Sequence, residues 1–345
     1  MVAEILTDRE NAVLEAVILD FVQSAKPVGS RNVAKNSVLD VSAATIRNAM
    51  ADLEDKGYLT HPHTSAGRIP TDKGYRYYVD WLMKISGLTK EERSLLTLEV
   101  DQNAQDVEEI LKKTSRVLGQ LSDELGIVLA PQFYQGILKK LELVEISSDK
   151  LLVVINIKSG IVKTVIIEVA HAIPRERLPD ISQLLNERLA GLTLEEVKRT
   201  IDERFRDLED SDDELIQMIL EKSDSLFDFT ERVDVHVSGA KNIVRQPELQ
   251  DPEKMTSFME LVEQGEQLAD LFQGYEDSTE DLFITIGSEN KRAVISDYSI
   301  VASTYNYSGL TGTIAILGPK RMYYDRIAAL VRVTANLISE QSNET

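Results

Sequence analysis

The chain has 345 residues, of which 43% are apolar and 28% charged, a composition that excludes disorder as the dominant state. Cysteine is absent, which excludes disulfide scaffolds, thiolate metal sites and cysteine nucleophiles. The apolar run 151–155 is far shorter than the roughly 20 residues that span a bilayer, and residues 1–10 lack the layout of a signal peptide. We therefore expect a cytoplasmic protein of two or three domains, without membrane segments.

The net charge of −20 argues, for the chain as a whole, against binding to nucleic acid. The charge is unevenly distributed, however. Residues 1–82 hold 9 Lys/Arg and 11 Asp/Glu, whereas the remainder holds 29 and 47. Residues 26–78 hold 8 basic and 5 acidic side chains. The one positive segment therefore lies near the N-terminus.

Three helices are predicted at the start of the chain. Thr7 begins a capping box ahead of an apolar stripe with helical spacing over 8–24. Ser30 is the predicted N-cap of a short helix near 31–37, and Ser42 is the predicted N-cap of a third helix. The apolar face of the third helix consists of Ile46, Ala49, Met50 and Leu53.

A β-hairpin is predicted after the third helix. Residues 58–61 read as a strand, 62–67 as a turn and 68–69 as a short return strand. Thr71 is the predicted N-cap of a fourth helix. Three helices followed by a hairpin predict a winged helix-turn-helix.

The outward face of the third helix suggests contact with DNA bases. Arg47 and Asn48 project outward, and these side chains suit bidentate contacts with guanine and adenine. The alternative is an ordinary polar helix face in solvent. The adjacent hairpin and the local positive charge favour recognition of DNA.

The hairpin tip is the predicted wing. Two histidines, His61 and His63, have no third ligand nearby, which makes a metal site a poor interpretation. Arg68 suits a phosphate or a minor groove, and the alternative is a solvated turn. Ser30 suits either a phosphate contact or a plain N-cap.

Aromatic residues cluster after the hairpin, at Tyr75, Tyr77, Tyr78 and Trp81. A stacking platform for single strands is one interpretation, and core or dimer packing, which the helical spacing favours, is the other. Nucleotide-binding glycine loops and nucleophile motifs are absent from the sequence. We therefore expect a protein that is not an enzyme and has no cofactor or metal.

The remainder of the chain predicts one α+β domain with a helical insertion. Residues 84–104 read as a helical connector, followed by a helix near 106–125. Predicted strands cover 139–147, 150–157, 161–169, 233–237, 282–286, 292–296, 299–304 and 312–317, and a final helix covers 320–340. The helical insertion falls near 172–230.

The segment 65–80, Ser-Ala-Gly-Arg-Ile-Pro-Thr-Asp-Lys-Gly-Tyr-Arg-Tyr-Tyr-Val-Asp, closely resembles the HrcA family of heat-inducible transcription repressors. The segments 44–48, Ala-Thr-Ile-Arg-Asn, and 318–324, Gly-Pro-Lys-Arg-Met-Tyr-Tyr, are also similar to that family. The likeness spans essentially the whole chain.

The resemblance implies a winged-helix domain over 1–83, a connector over 84–104, a discontinuous GAF-like domain over 105–171 and 231–345, and an inserted dimerisation domain over 172–230. It also implies a homodimer that represses chaperone operons at an inverted-repeat DNA operator, CIRCE, with support from the chaperonin GroEL. The residues expected at the DNA are Ser30, Arg31, Ser42, Thr45, Arg47, Asn48, His63, Ser65, Arg68 and Lys73. The alternative function is a regulator whose GAF-like domain binds a small effector.

Overall fold

A computed structural model describes most of the chain. The described residues are 6–36, 41–62, 67–100, 107–131, 133–169, 175–208, 214–227, 234–272, 275 and 280–341. The structure mixes helices with antiparallel sheets, as expected of an α+β protein. Within these ranges, no helix combines the length and the hydropathy that crossing a bilayer requires.

The N-terminal lobe, residues 6–82, is a small helical bundle with a two-stranded sheet. Its elements are α1 (Asp8–Ser24), α2 (Ser30–Asn36), α3 (Ala43–Asp55), β1 (Leu59–Thr60), β2 (Ile69–Pro70) and α4 (Asp72–Tyr77). Strands β1 and β2 pair antiparallel. Helix α4 continues into a π-helical turn, Tyr78–Leu82.

Local capping explains where these helices begin. Thr7 and Glu10 form the predicted capping box, and the Thr71 hydroxyl accepts from the backbone N–H of Gly74 at 3.1 Å. The prediction of Ser30 as an N-cap is wrong. The carbonyl of Gly29 accepts from the N–H of Val33 at 3.2 Å, so that α2 begins one residue earlier and Ser30 is already helical.

The other elements follow in chain order and form two further lobes. They are α5 (Lys90–Val100), α6 (Val107–Ser122), β3 (Leu125–Leu129), β4 (Leu138–Ser147), β5 (Lys150–Ile157), β6 (Val162–Glu168), α7 (Leu178–Leu189), α8 (Leu194–Phe205), α9 (Glu214–Glu221), α10 (Ser223–Leu226), β7 (Val235–Ser238), α11 (Ala240–Val244), α12 (Pro252–Glu263), α13 (Gly265–Ala269), β8 (Phe283–Ile286), β9 (Tyr298–Tyr307), β10 (Leu310–Pro319) and α14 (Tyr324–Gln341).

The main lobe is a five-stranded antiparallel sheet in the order β7-β3-β10-β9-β8. One face packs on α6 and α14, against which α5 lies, and alternate residues of the same strands face α11, α12 and α13. One expectation is wrong here, since residues 293–295 form a 3-10 turn rather than a strand. The predicted connector is helical over α5, and Leu96 and Val100 of this helix are buried.

The side lobe is the three-stranded antiparallel sheet β4-β5-β6 with α7–α10 packed on one face. The strands predicted over 139–169 are confirmed, but they form a sheet of their own rather than joining the C-terminal strands, with which they were expected to share one α+β domain. Strands β3 and β7 are direct neighbours in the main sheet, and the whole side lobe lies between them in the chain. The inserted segment therefore includes β4–β6 as well as the helices near 172–230.

Candidate nucleic-acid interface

Helix α3 presents a polar face to solvent. Its buried residues are Ile46, Ala49, Met50 and Leu53, as the spacing predicted. Arg47 and Asn48 are exposed, and no hydrogen bond or ion pair joins either side chain to another described residue. Both side chains are therefore available to an external partner.

The first turn of α3 is fixed by a hydroxyl pair. Ser42 is the N-cap, and its Oγ accepts from the backbone N–H of Thr45 at 3.2 Å. The two hydroxyl oxygens lie 2.9 Å apart. Ala43 and Ala44 add little bulk beside them. This end of α3 is both rigid and closely approachable.

Helix α2 places its two predicted DNA contacts differently. Ser30 is 9% exposed, so little of its hydroxyl can reach a phosphate. Arg31 is exposed, as is Lys35 one turn further along. Sequence reasoning missed Lys35, although its spacing from Arg31 on a short helix was a readable signal. Two cations, rather than a serine and a cation, line this helix.

The base of the predicted wing, the β1–β2 hairpin, is tied to α3. Arg68 Nη2 donates to Glu54 Oε2 at 2.6 Å, and His61 shares the same carboxylate. The backbones of Arg68 and Val28 pair through two hydrogen bonds of 2.8 Å. A Cβ on Gly67 would lie 2.4 Å from the carbonyl oxygen of Val28, which explains the glycine. Arg68 thus has an internal partner that the sequence did not indicate.

The predicted wing contacts His63 and Ser65 lie outside the described residues. Among the described residues, no group of three or more His, Asp or Glu side chains could hold a metal ion. The histidine pair therefore gains no support as a ligand set from the part of the chain that is described.

Lys73 is exposed but has internal contacts. Its Nζ donates to the carbonyl oxygen of Lys56 at 2.7 Å and lies 4.3 Å from the centre of the Tyr58 ring. Lys56 in turn forms an ion pair with Glu10 at 2.8 Å. The hydrogen bond from Lys56 holds the pKa of Glu10 below its ordinary value, against the effect of burial. These contacts fix the C-terminal end of α3.

The aromatic cluster is mainly a packing element. Tyr75, Tyr77 and Tyr78 are buried, which confirms core packing rather than a stacking platform. Burial raises the pKa of Tyr78 to about 12. Trp81 differs, since it is 68% exposed. Its ring centre lies 6.5 Å from that of Tyr77.

A groove of about 810 Å³ lies in the side lobe, between β4 and α7. Leu178, Pro179 and the polar side chains of Ser182 and Asn186 are among its lining residues. Ser182 and Asn186 already bond the backbone of β4. A small-effector site in the main lobe gains no support from this groove.

Comparisons with known proteins agree with the DNA-binding interpretation. The family model described as the HrcA protein C-terminal domain matches residues 108–328. A heat-inducible transcription repressor HrcA from Chlorobium phaeobacteroides (strain BS1) is 39% identical over 97% of both chains. The one from Prosthecochloris aestuarii is 40% identical over 97% of both chains.

A solved structure supports the fold. The crystal structure of a hypothetical protein at 2.2 Å resolution has a TM-score of 0.61 and 24% identity and covers 99% of both chains. The curated relatives are named as transcription repressors, a class of regulators rather than enzymes. On the family match and the identities together, this chain belongs to the HrcA family of heat-inducible transcription repressors.

Proposed function

We propose that the chain represses heat-shock chaperone operons in the cytoplasm by binding, as a homodimer, to the inverted-repeat operator CIRCE in double-stranded DNA. The N-terminal lobe is then a winged helix-turn-helix with α3 as its recognition helix. The main lobe is the GAF-like domain. The observation that supports this proposal best is the exposure of Arg47 and Asn48 on a helix whose other face is buried. Neither side chain has a partner among the described residues.

Base reading by α3 predicts a sequence-specific loss on substitution. Arg47→Ala should weaken operator binding by about 1–3 kcal/mol, roughly 5- to 150-fold, and relax the preference at one base pair. Arg9→Ala is the matched control, because Arg9 is an exposed arginine at the start of α1 in the same lobe. That end of α1 lies beside the C-terminal end of α3, through Glu10 and Lys56, and so away from Ser42.

Fluorescence anisotropy with operator and scrambled duplexes, at several salt concentrations, measures both effects. Equal losses for Arg47→Ala and Arg9→Ala would contradict base reading by α3. A loss that is the same on both duplexes would make Arg47 a phosphate contact instead.

We propose that Arg31 and Lys73 contact phosphates of the DNA backbone. Both are exposed cations, one before and one after α3 in the sequence. Each phosphate contact removed should lower the salt dependence of binding by about one unit of slope. We propose that Arg68 acts mainly by holding the wing against α3 through Glu54, since that carboxylate already binds its guanidinium.

The inserted side lobe offers an apolar face for dimerisation. On the face of its sheet that lies away from the helices, Val144, Leu152 and Ile166 form a row across β4, β5 and β6. Val144 is 46% exposed and Ile166 59%. A second copy of the chain is the occupant that the proposed function requires, because an inverted repeat needs a two-fold partner. We therefore propose this face as the dimer interface.

Ile166→Glu should convert the dimer to a monomer, because it places a charge within an apolar contact. Leu98→Glu is the matched control, since Leu98 of α5 is also 59% exposed. Light scattering across a concentration series measures the mass. A dimer that tolerates Ile166→Glu as well as Leu98→Glu would move the interface elsewhere.

We also propose that GroEL maintains the active fraction of the repressor. The marginal stability of protein domains, about 5–15 kcal/mol, lets modest heating change the folded fraction. A chaperonin that refolds the inactive form would keep the operator occupied until other unfolded clients occupy the chaperonin. Purified GroEL should therefore raise the operator-binding fraction, and added unfolded client should cancel the gain. The same release temperature with and without GroEL would make the chain a direct thermosensor.

A further inference from the structure

Four charged side chains join the N-terminal lobe to the main lobe. Asp72 Oδ1 accepts from Lys320 Nζ at 2.8 Å, and its Oδ2 accepts from the backbone N–H of Ser288 at 2.9 Å. Arg76 donates two hydrogen bonds to the Glu289 carboxylate, from Nε at 2.8 Å and from Nη2 at 2.5 Å. We name Asp72, Arg76, Glu289 and Lys320 the interlobe cluster.

The cluster is built into the fold. Its four side chains are only 27–35% exposed, and paired charges in such partly buried positions hold their geometry better than surface pairs. Gly287 has a φ of +55°, and a Cβ there would lie 2.4 Å from an Asp72 carboxylate oxygen. The main lobe therefore has a backbone shape that only glycine provides, at the point where Asp72 docks.

An apolar contact accompanies the charges. The rings of Tyr75 and Tyr324 lie 5.9 Å apart across the same junction. The Tyr324 hydroxyl lies 2.7 Å from that of Ser299 and donates to the carbonyl oxygen of Lys320 at 2.8 Å. The backbone that presents Lys320 is thus held in place from within the main lobe.

The same short helix is tied to the recognition helix. Thr71 Oγ1 donates to the carbonyl oxygen of Gly57 at 2.7 Å, and Lys73 Nζ donates to that of Lys56 at 2.7 Å. A Cβ on Gly74 would lie 2.2 Å from the carbonyl oxygen of Tyr58, so α4 lies directly on the chain that leaves α3. Bonds therefore run continuously from the main lobe through α4 to the end of α3.

We propose that the interlobe cluster fixes the angle at which α3 is presented, and so determines which half-site spacing a dimer of this chain accepts. The inference rests on the proposed function, a dimer on an inverted repeat. Each added base pair rotates one half-site by about 34° around the DNA axis relative to the other. A rigid mounting of each N-terminal lobe then rejects a wrong spacing, whereas a loosely tethered lobe tolerates it.

The test weakens the interlobe cluster through its two main-lobe residues, neither of which is a proposed DNA contact. Lys320→Met and Glu289→Gln, singly and together, remove one charge from each ion pair with little change in side-chain size. Lys254→Met is the control, because Lys254 forms an ion pair with Asp297 that lies wholly within the main lobe. Anisotropy titrations use a single half-site and inverted repeats whose spacers are changed by one and two base pairs.

The unaltered chain should lose about tenfold or more in affinity with the altered spacers, and the double variant less than about threefold. Affinity for the single half-site should stay within about twofold for all variants. A double variant that discriminates spacing as the unaltered chain does would overturn the proposal. So would loss of single half-site binding, since it would make the cluster a requirement for folding of the lobe.

A second measurement is independent of DNA. The chain has no cysteine, so Gln23→Cys on α1 and Glu260→Cys on α12 give one spin-labelled pair across the junction. The distance distribution should be narrow in the otherwise unaltered chain, broad in the double variant and narrow with Lys254→Met. Equal widths in all three would refute the rigid mounting. Failure of the unaltered chain to bind any inverted repeat would refute the proposed function, while this distribution would still decide whether the cluster fixes the lobe.

Discussion

A buried carboxyl group should make the stability of this protein fall between pH 5 and pH 8. Glu124 connects α6 to β3 and is 6% exposed. Its Oε2 has no hydrogen-bond partner among the described residues. Burial raises the pKa of Glu124 from 4.5 to about 8, and Arg321 only partly opposes this effect. Glu248 and Asp123 add to the increase.

The sign follows from where the proton is bound. Between the two pKa values the folded chain keeps the proton on Glu124, whereas the unfolded chain releases it. Unfolding therefore becomes easier as the pH rises through this range. One pKa unit corresponds to about 1.36 kcal/mol, so that the shift costs about 3 kcal/mol of unfolding free energy between pH 5 and pH 8.

Glu124→Gln removes this titration and keeps the shape of the side chain. The unfolding free energies of the variant and the unaltered chain are measured with urea at pH 5, 6, 7 and 8. Their difference should shift by about 3 kcal/mol in favour of the variant from pH 5 to pH 8. Glu263→Gln is the control, since Glu263 is exposed on α12. A difference between Glu124→Gln and the unaltered chain that stays constant from pH 5 to pH 8 would refute the raised pKa.

Two further substitutions test the packing and capping of the N-terminal lobe. Gly74→Ala should lower the unfolding free energy by about 1–3 kcal/mol, because its Cβ would lie 2.2 Å from the Tyr58 carbonyl oxygen. Gly87→Ala, in the segment that follows this lobe, has open space around its Cβ and should not. Equal urea midpoints for the two variants would contradict this close contact. Ser42→Ala should cost about 1 kcal/mol through loss of the α3 cap and weaken operator binding. Unchanged stability and affinity would show that the cap does not fix α3 for contact with DNA.

Local signals explain why the N-terminal helices were predictable from the sequence. The caps at Thr7, Ser42 and Thr71 each involve a bond to a residue three positions away, so that the whole interaction is visible in a short window. The inward face of α3 follows from helical periodicity alone. The prediction that Ser30 is an N-cap failed because the preceding residue is a glycine, whose backbone can serve as a cap without a side chain.

The sheets were only partly predictable, because alternation reports which face of a strand is buried and not which strand lies beside it. Strands β4–β6 were therefore predicted correctly, whereas their separation from the C-terminal strands into a second sheet was not. Strand β3 was missed because all five of its residues are buried. Such a strand shows no alternation, and its apolar run cannot be distinguished from the end of the preceding helix.

The contacts of the candidate interface were the least predictable part. Exposure of Arg47 and Asn48 follows from the helix period, but the pairing of Arg68 with Glu54 depends on the fold of the hairpin. The interlobe cluster joins residues more than 200 positions apart. Arg76 lies among aromatic residues in the sequence, and only the fold brings it to Glu289.

Two copies of α3, one from each protomer, should read the two halves of one operator. Hydroxyl-radical footprinting of the unaltered chain on the CIRCE element upstream of the organism's own chaperonin operon tests it most directly. Two protected half-sites related by two-fold symmetry are expected. Both protections should be lost together in Arg47→Ala, at a protein concentration where Arg9→Ala still protects. An unsymmetrical footprint, or one that Arg47→Ala leaves intact, would contradict it.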